Sequence, residues 1–495
     1  MRTLLKLLTC LVATLHFCGA VPVTAQTIAS MRADQLARLQ TYVLDAIQPS
    51  GLVRDSLVLS PSGTNFHPAT PDAAGFALLS LAAFDQLGTL PNADQRVVQI
   101  LNAHVGNTPG VNPVRSPDGH FLHFIDIVNG SDPPGWDDSY SPISSALVVA
   151  GAQFASNHFA GTSSPLAGQI AALADQLTAS VDFDAAIHPS LDGRVYLDMT
   201  AAGGGAGGTL RPWNEYQLVV SLALRQQNND RAVAVRRQWF NTDLLPRRGL
   251  GPYQTLTDNP NAYASAFWTQ QAQFFNGDFR HDDDFQTFLE NHKLGDELYS
   301  SAVLNQAYRY GLTAGVNPSG YHADRPFNHP DTVFSPSAVA AWGDLDTLLQ
   351  FYLDQLPATN PRYRYGLARV SDEQPTWIPN DAGLVDHLFL LFGLVESLHP
   401  DFFADRVFAP LVAGDYNFDG EVDLADYTVW RDTLGGADLS ADGDLDGDVD
   451  QQDYAVWAAA LSAASASALA IPEPASLALL LPAWLLFSAR RQRCR

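Results

Sequence analysis

Cysteine is nearly absent, with three residues in a chain of 495: Cys10, Cys18 and Cys494. Two lie in an N-terminal leader and one in the extreme tail, so the body of the chain has neither disulfide nor thiol chemistry. Basic residues are also scarce. Lys and Arg number 28 against 53 Asp and Glu, for a formal net charge of −25. That balance excludes a nucleic-acid partner on electrostatic grounds. H-E-x-x-H, G-x-S-x-G and the Walker loop are missing too. Gly203, Gly205 and Gly208 spell G-x-G-x-x-G, but the surrounding run is AAGGGAGG with no βαβ frame, and it reads as a flexible loop. His322 and His329 share a stretch with Asp324 and Asp331. They read as solvated loop histidines and not as a metal site.

Both ends of the chain carry addresses. Residues 1–25 place Arg2 and Lys6 before an apolar run from Leu7 to Phe17, then Val23, Thr24 and Ala25. This is a secretory signal peptide, with the mature chain expected to begin at Gln26. Residues 471–495 hold Pro472-Glu473-Pro474, an apolar run to Phe487 and a basic tail. The run is about as short as one that spans a bilayer, and the basic cluster follows the positive-inside rule. In this order the elements resemble the PEP-CTERM sorting signal. The resemblance implies transient membrane association, cleavage by an exosortase-type enzyme, and delivery to the cell surface or extracellular matrix of a bacterium with an outer membrane. A permanent single-span anchor is the alternative.

The negative charge is uneven. Residues 415–453 hold thirteen Asp or Glu against one Arg, and they form an internal repeat with an offset of 27. Oxygen ligands recur at loop positions 1, 3, 5, 9 and 12: Asp415, Asn417, Asp419, Asp423 and Asp426, then Asp442, Asp444, Asp446, Asp450 and Asp453. Gly420 and Gly447 take position 6, where the turn needs an unusual backbone angle. Such a ring of oxygens suits Ca2+, without which the carboxylates repel one another. Tyr427/Tyr454 and Trp430/Trp457 keep the same register, which a disordered acidic spacer does not explain. With Asp at position 12, residues 412–463 resemble a type I dockerin, which implies two calcium ions and a cohesin-type partner. Residues 464–470 read as an Ala/Ser-rich linker.

Residues 27–411 show little strict alternation. Leu36, Leu39, Val43 and Ile47 form one apolar stripe, whereas 75–84, 145–154 and 384–398 are apolar nearly all round. Wet-faced helices alternating with fully buried ones predict an all-α toroid of helical hairpins, inner helices wrapped by outer ones. The long polar connections at 105–141, 186–212 and 315–334 would gather at one end and build the site.

Aromatics stand beside carboxylates in those connections: Trp136 with Asp137 and Asp138, Trp213 with Glu215, Trp268, Asp278-Phe279-Arg280, Tyr321, and Trp377 with Asp381 and Asp386. Aromatic faces stack on sugar rings, and paired carboxylates are the acid and base of glycoside hydrolysis. The segments PWNEYQLVVSLAL, FFNGDFRHDDDFQTFLENH, RYGLTAGVNPSGYHA and TVFSPSAVAAW, and the stretch from YGLARV to LVDHLFLLFGLVES, occur in the order seen in the glycoamylase-like family. The resemblance spans about residues 70–400. It implies an (α/α)6 barrel and a polysaccharide or oligosaccharide substrate, β-1,2-glucan among them. The family's proposed general acid falls on Glu215, its Asp-Phe-Arg triplet on Asp278 to Arg280, and its late acids on Asp386 and Glu396. Ser144 and Ser145 stand where the family usually carries an acid, and Asp386 is followed by His387. The expectation is an inverting β-glucan hydrolase with Glu215 as acid and Asp386, Asp137 or Asp138 assisting water, and with no cofactor for catalysis. Trp136, Trp213, Trp268, Asp278, Arg280, Tyr321 and Trp377 are its expected substrate contacts. Two rivals stand beside it: a catalytically inactive glycan-binding or matrix scaffold, and a polysaccharide lyase.

Overall fold

The computed structural model describes residues 23–137, 139–306, 308–356 and 363–469. The sorting signal, Asp138 and most of the leader lie outside them. The chain divides into two compact units with the break between Pro410 and Leu411.

The first unit alternates outer and inner helices. They are α1 (Val23–Ala46) then α2 (Pro71–Gln86), α3 (Ala93–His104) then α4 (Pro142–Ala160), and α5 (Ala167–Thr178) then α6 (Gln217–Leu224). The order continues with α7 (Asp230–Phe240) then α8 (Ala266–Phe275), the single turn α9 (Gly277–Arg280), and α10 (Asp283–Ala302) then α11 (Pro336–Ala341). The last pair is α12 (Leu345–Gln355) and, after the single turn α13 (Leu384–His387), α14 (Phe389–Glu396).

Composition decides which ring each helix joins. In α2 every residue from Pro71 to Phe84 is buried, whereas α3 buries one face through Val97, Ile100, Leu101 and His104. Each inner helix packs on the next in the order α2, α4, α6, α8, α11, α14, and α14 returns to α2. The fold is an (α/α)6 barrel. Glycines let the inner helices approach to backbone contact. A Cβ at Gly75 would lie 2.3 Å from the Leu147 carbonyl oxygen, and one at Gly393 would lie 1.8 Å from that of Ala340. Phe76 meets Phe275, Phe389 and Phe392 with ring centroids 4.7, 5.3 and 5.6 Å apart, so aromatic side chains fill the middle of the ring.

Every long connection runs from an outer helix to the next inner one. All of them therefore emerge at the N-terminal ends of the inner helices, and the short connections occupy the other end. Ser or Thr followed by Pro marks three of these starts: Thr70-Pro71, Ser141-Pro142 and Ser335-Pro336. The hydroxyl of Thr70 accepts from Ala73 N–H and that of Ser141 from Ser144 N–H, while Pro supplies a preset first turn.

The loop end carries five antiparallel two-stranded ribbons. They are β1 (Ser56–Val58) with β10 (Asp381–Gly383), β2 (Val195–Met199) with β3 (Gly205–Leu210), β4 (Arg247–Leu250) with β5 (Tyr253–Leu256), β6 (Ala314–Asn317) with β7 (Gly320–Ala323), and β8 (Val333–Phe334) with β9 (Val370–Ser371). Pairing of β1 with β10, Ser56 opposite Gly383, stitches the first connection to the last. The glycine run expected to be a flexible loop supplies β3 instead. Strand pairing with β2 satisfies its backbone, and at Gly205 any Cβ would fall on the Tyr196 ring.

The second unit holds α15 (Leu424–Thr433) and α16 (Gln451–Leu469). The segment expected to be a linker is helical as far as Leu469, in keeping with the high helix propensity of alanine. Tyr427, Trp430, Tyr454 and Trp457 pack against one another. The Trp430 indole donates to the Asp450 carbonyl (2.7 Å) and the Trp457 indole to the Asp423 carbonyl (2.8 Å). The two repeats therefore clasp each other by the same bond made twice.

Candidate active site

Glu215 lies two residues before α6, at the loop end. Its side chain is half-buried, and burial pushes its carboxyl up to about 7, with Asp258 adding to the rise. The Trp268 indole lies within hydrogen-bonding reach of this carboxyl. Asn214 Oδ1 accepts from Tyr216 N–H at 3.0 Å in the turn before the helix, and no side chain caps the helix at Tyr216, so the glutamate has no capping duty.

Asp386 lies in α13, against the start of α2. Burial again dominates and raises it to about 7, although the Arg369 guanidinium 3.7 Å away opposes the rise. Asp381 and Asp55 push in the same direction as burial. His67 bridges those two aspartates, at 3.1 Å from Asp55 and 3.6 Å from Asp381. Burial alone would lower this imidazole, yet the two carboxylates outweigh it and hold it at about 9. Tyr321, at the tip of the β6–β7 ribbon, is 70% exposed. Protein mass around it raises its hydroxyl first, and Asp386, Asp55 and Asp72 follow. A wet side chain surrounded by protein and by acids stands in an open cleft.

Several expected contacts belong elsewhere. Trp213 has no exposed surface and packs against Phe279 and Phe285, so it is core and offers no face to a sugar. Trp268 is buried as well, and its indole serves Glu215. Asp278 receives both arms of Arg225, at 2.7 and 2.9 Å, and Arg280 pairs with Glu396. All four of these ionic residues follow or end an inner helix, at the end opposite the cleft, so their role is to tie helix termini together.

Other expected residues do stand at the loop end. Trp136 is half-buried against His67 and Phe124, with centroids 5.2 and 4.8 Å away. Asp137 is exposed and accepts from Ser139 N–H and Oγ–H. Trp377 is half-buried between β9 and β10. His322 keeps 32% of its side chain exposed while its Nδ1 meets Asp324 at 2.8 Å. Asp324 is fully buried and receives His322, Asn317 and Arg369, because the β6–β7 ribbon folds them under itself.

Ring geometry places the two principal carboxyls on opposite inner helices. Axes of neighbouring helices stand about 8–10 Å apart, so helices facing each other across six stand about 16–20 Å apart. Glu215 leads into α6 and Asp386 into α14, which are such a facing pair. Of the inner helices between them, α4 adjoins α6 and α2 adjoins α14. Asp72, on the first turn of α2, is buried, and burial raises its pKa while His123 lowers it. Asp198 on β2 is raised by burial and lowered by Ser139 and His123. Asp198 and Glu215 both act on the Tyr216 hydroxyl. Asp55, His67, Asp72, His123, Asp198 and Arg369 escaped the sequence reading, since none sits in a recognisable motif. Only Thr70-Pro71-Asp72 carried a usable signal, a cap followed by Pro and an acid at a buried helix.

In the second unit, oxygens of Asp442, Asp444 and Asp453 lie within 4.8 Å of one another. Gly420 (φ +92°) and Gly447 (φ +101°) adopt the left-handed backbone at position 6. The donor set is all oxygen and fits a hard cation.

The barrel thus defines a class of protein: a six-hairpin α-toroid with an acid-lined cleft at its loop end. The endo-β-1,2-glucanase from Chitinophaga pinensis, solved with sophorotriose and glucose, shares it at TM-score 0.65 and 15% identity over 79% of this chain and 96% of that one. A candidate glucoamylase from Bacteroides fragilis NCTC 9343 also matches at TM-score 0.65, with 17% identity over 79% of this chain and 96% of its own. The β-1,2-glucanase from Parabacteroides distasonis matches at 0.62 and 15% identity, over 76% of this chain and 57% of that chain. No family model and no curated protein matches the chain. At these identities the likeness is one of fold.

Proposed function

We propose that the barrel is an inverting glycoside hydrolase acting on a neutral β-glucan, with β-1,2-glucan favoured and Glu215 as general acid. The observation that carries this reading is Glu215 itself, a partly exposed side chain at the loop end beside the Trp268 indole, its carboxyl desolvated to a pKa of about 7. Such a group keeps its proton near neutrality and can deliver it to a leaving sugar oxygen. The neighbouring fold relatives support the substrate class, since one is solved with sophorotriose and glucose and another with sophorose. The lyase reading lacks, among the described residues, the free cations it would need to neutralise a uronate, since His67 and Arg369 already pair with carboxylates. A glycan-binding scaffold that has lost catalysis is the second reading, and Ser144, buried where an acid was expected, is the observation behind it.

The chain around the barrel is read as secreted and surface-sorted. Residues 412–463 are read as a dockerin-like module whose two loops take Ca2+ through Asp415, Asn417, Asp419, Asp423 and Asp426 and through Asp442, Asp444, Asp446, Asp450 and Asp453. Calcium would supply counter-charge there and no catalysis. The partner implied is a cohesin-type protein. The experiment is a panel of β-1,2-, β-1,3-, β-1,4- and α-linked glucans incubated with the mature protein, with reducing ends counted and the anomer of fresh product read by NMR. New ends of inverted configuration are expected from a β-glucan. Binding without cleavage on every polymer would leave the scaffold.

A further inference from the structure

We propose that His123 is the proton acceptor of the cleft, its ring held in place by the buried Ser144 hydroxyl. The proposal rests on the hydrolase reading with Glu215 as acid.

His123 Nδ1 meets Ser144 Oγ at 3.0 Å, and Ser144 has no exposed surface. The strand-like segment carrying His123 is pinned on three sides. His123 N–H donates to the Ser139 carbonyl (2.9 Å), Ser141 N–H to the Phe121 carbonyl (2.9 Å), and Phe121 N–H to Ser145 Oγ (2.9 Å). Ala69 and Ile125 exchange both backbone bonds, which joins the same segment to the start of α2. Met199 N–H donates to the Tyr140 carbonyl (2.8 Å), which brings β2 alongside. His123 therefore sits where the starts of α2 and α4 and the strand of Asp198 converge, and its Ser144 anchor is on α4, the inner helix that adjoins α6. With Nδ1 engaged, Nε2 meets no hydrogen-bond partner among the described residues and the side chain is only half-buried.

A base oriented through its second nitrogen by a fixed neighbour is how imidazoles are set up for proton transfer. In the tautomer this role requires, Nδ1–H donates to Ser144 Oγ and Nε2 carries the lone pair. Water oxygen bonds to the anomeric carbon as the bond from that carbon to the leaving oxygen breaks. The leaving oxygen takes its proton from Glu215, and the water proton passes to Nε2. Asp72 and Asp198 both lie within electrostatic reach of the ring. Solvent then returns the proton to Glu215, and the sum is glycan plus water giving two shorter sugars. Serine at 144 is on this account the anchor of a replacement base and no sign of decay.

The test compares His123→Asn, His123→Ala, Ser144→Ala and Glu215→Gln in the mature protein on the glucan that the panel identifies, with melting curves as the folding control. His123→Asn should lower kcat by about 10²–10⁴-fold, with KM within about threefold. Added imidazole should restore His123→Ala and leave Glu215→Gln unchanged. Ser144→Ala, which frees the ring without removing it, should cost about tenfold in kcat and gain nothing from imidazole. A His123→Asn enzyme within about threefold of wild type, beside an inert Glu215→Gln, overturns the proposal and spares the hydrolase reading. A fully active Glu215→Gln, or a wild type inert on every glucan, overturns both. Should His123→Asn fail to fold, an unchanged kcat in Ser144→Ala overturns the proposal by itself.

Discussion

The two acid-rich regions of this chain handle their carboxylates in opposite ways. In the C-terminal unit, Asp426 accepts from the N–H groups of Tyr416, Asn417 and Asp423, and Asp453 from those of Gly443, Asp444 and Asp450. Each bond stays within one short loop, and the second set repeats the first 27 residues on. In the barrel cleft, Asp386 and Glu215 are drawn from distant parts of the chain, receive few donors, and are pushed up to about 7 by loss of water. Backbone donors on one side of a carboxylate orient it, and oxygens held in this way suit a hard cation. Desolvation favours a protonated carboxyl that can give its proton away. The same chemical group is tied into a backbone turn in one place and stripped of water in the other.

The largest break in this comparison should come from Glu215→Gln. Turnover is expected to fall by at least ~10²-fold, while calcium uptake by the second unit stays unchanged, as followed by isothermal titration on the full chain. Loss of both together would mean the substitution had unfolded the protein.

Chelation probes the other side. Removing calcium leaves the two loops with uncompensated negative charge, so the second unit should lose helical ellipticity and protease resistance while glucan cleavage persists. Activity that disappears on chelation would assign the metal to the barrel.

A smaller effect sharpens the corrected roles at the far end of the ring. Asp278→Asn breaks the paired hydrogen bonds from Arg225, and a charged pair of this kind is worth about 1.5–3 kcal/mol. The melting temperature should drop, and kcat should hold within about twofold. A large loss of kcat with no loss of stability would restore Asp278 to the site.

The smallest effect is a slope. The Glu215 pKa is raised from its ordinary value near 4.3 to about 7 in the folded state. Between those values the native protein binds more protons than the unfolded chain, so the stability tied to this group is present below the window and is lost as pH rises through it. Glu215→Gln should flatten that slope in denaturant titrations between pH 5 and 8, and wild-type kcat should decline above pH about 7. An unchanged slope would mean that the carboxyl is not desolvated.

Much of what has a local cause is legible in the sequence, the glycine run at 203–208 and the helical 464–469 being exceptions. The calcium-type loops are legible because their ligands, their position-6 glycines and their aromatic pairs all recur at one spacing. The helical rings are legible because a helix apolar on every side, such as 75–84 or 145–154, has nowhere to go but the inside of a shell. Glu215 was readable through its neighbours and its family resemblance. Tertiary structure decided which side chains face the cleft. Trp213 and Trp268 look like sugar platforms in the sequence, yet packing consumes the first and Glu215 the second. Asp278 and Arg280 look like site residues, yet the short connections place them at the opposite end of the barrel. Asp72, His123 and Ser144 lie far apart in sequence and meet only where two inner helices begin. The physical reason is the same throughout. A loop motif closes on itself within a few residues, whereas a desolvated cleft is made by the walls around it, and those walls come from six separate hairpins.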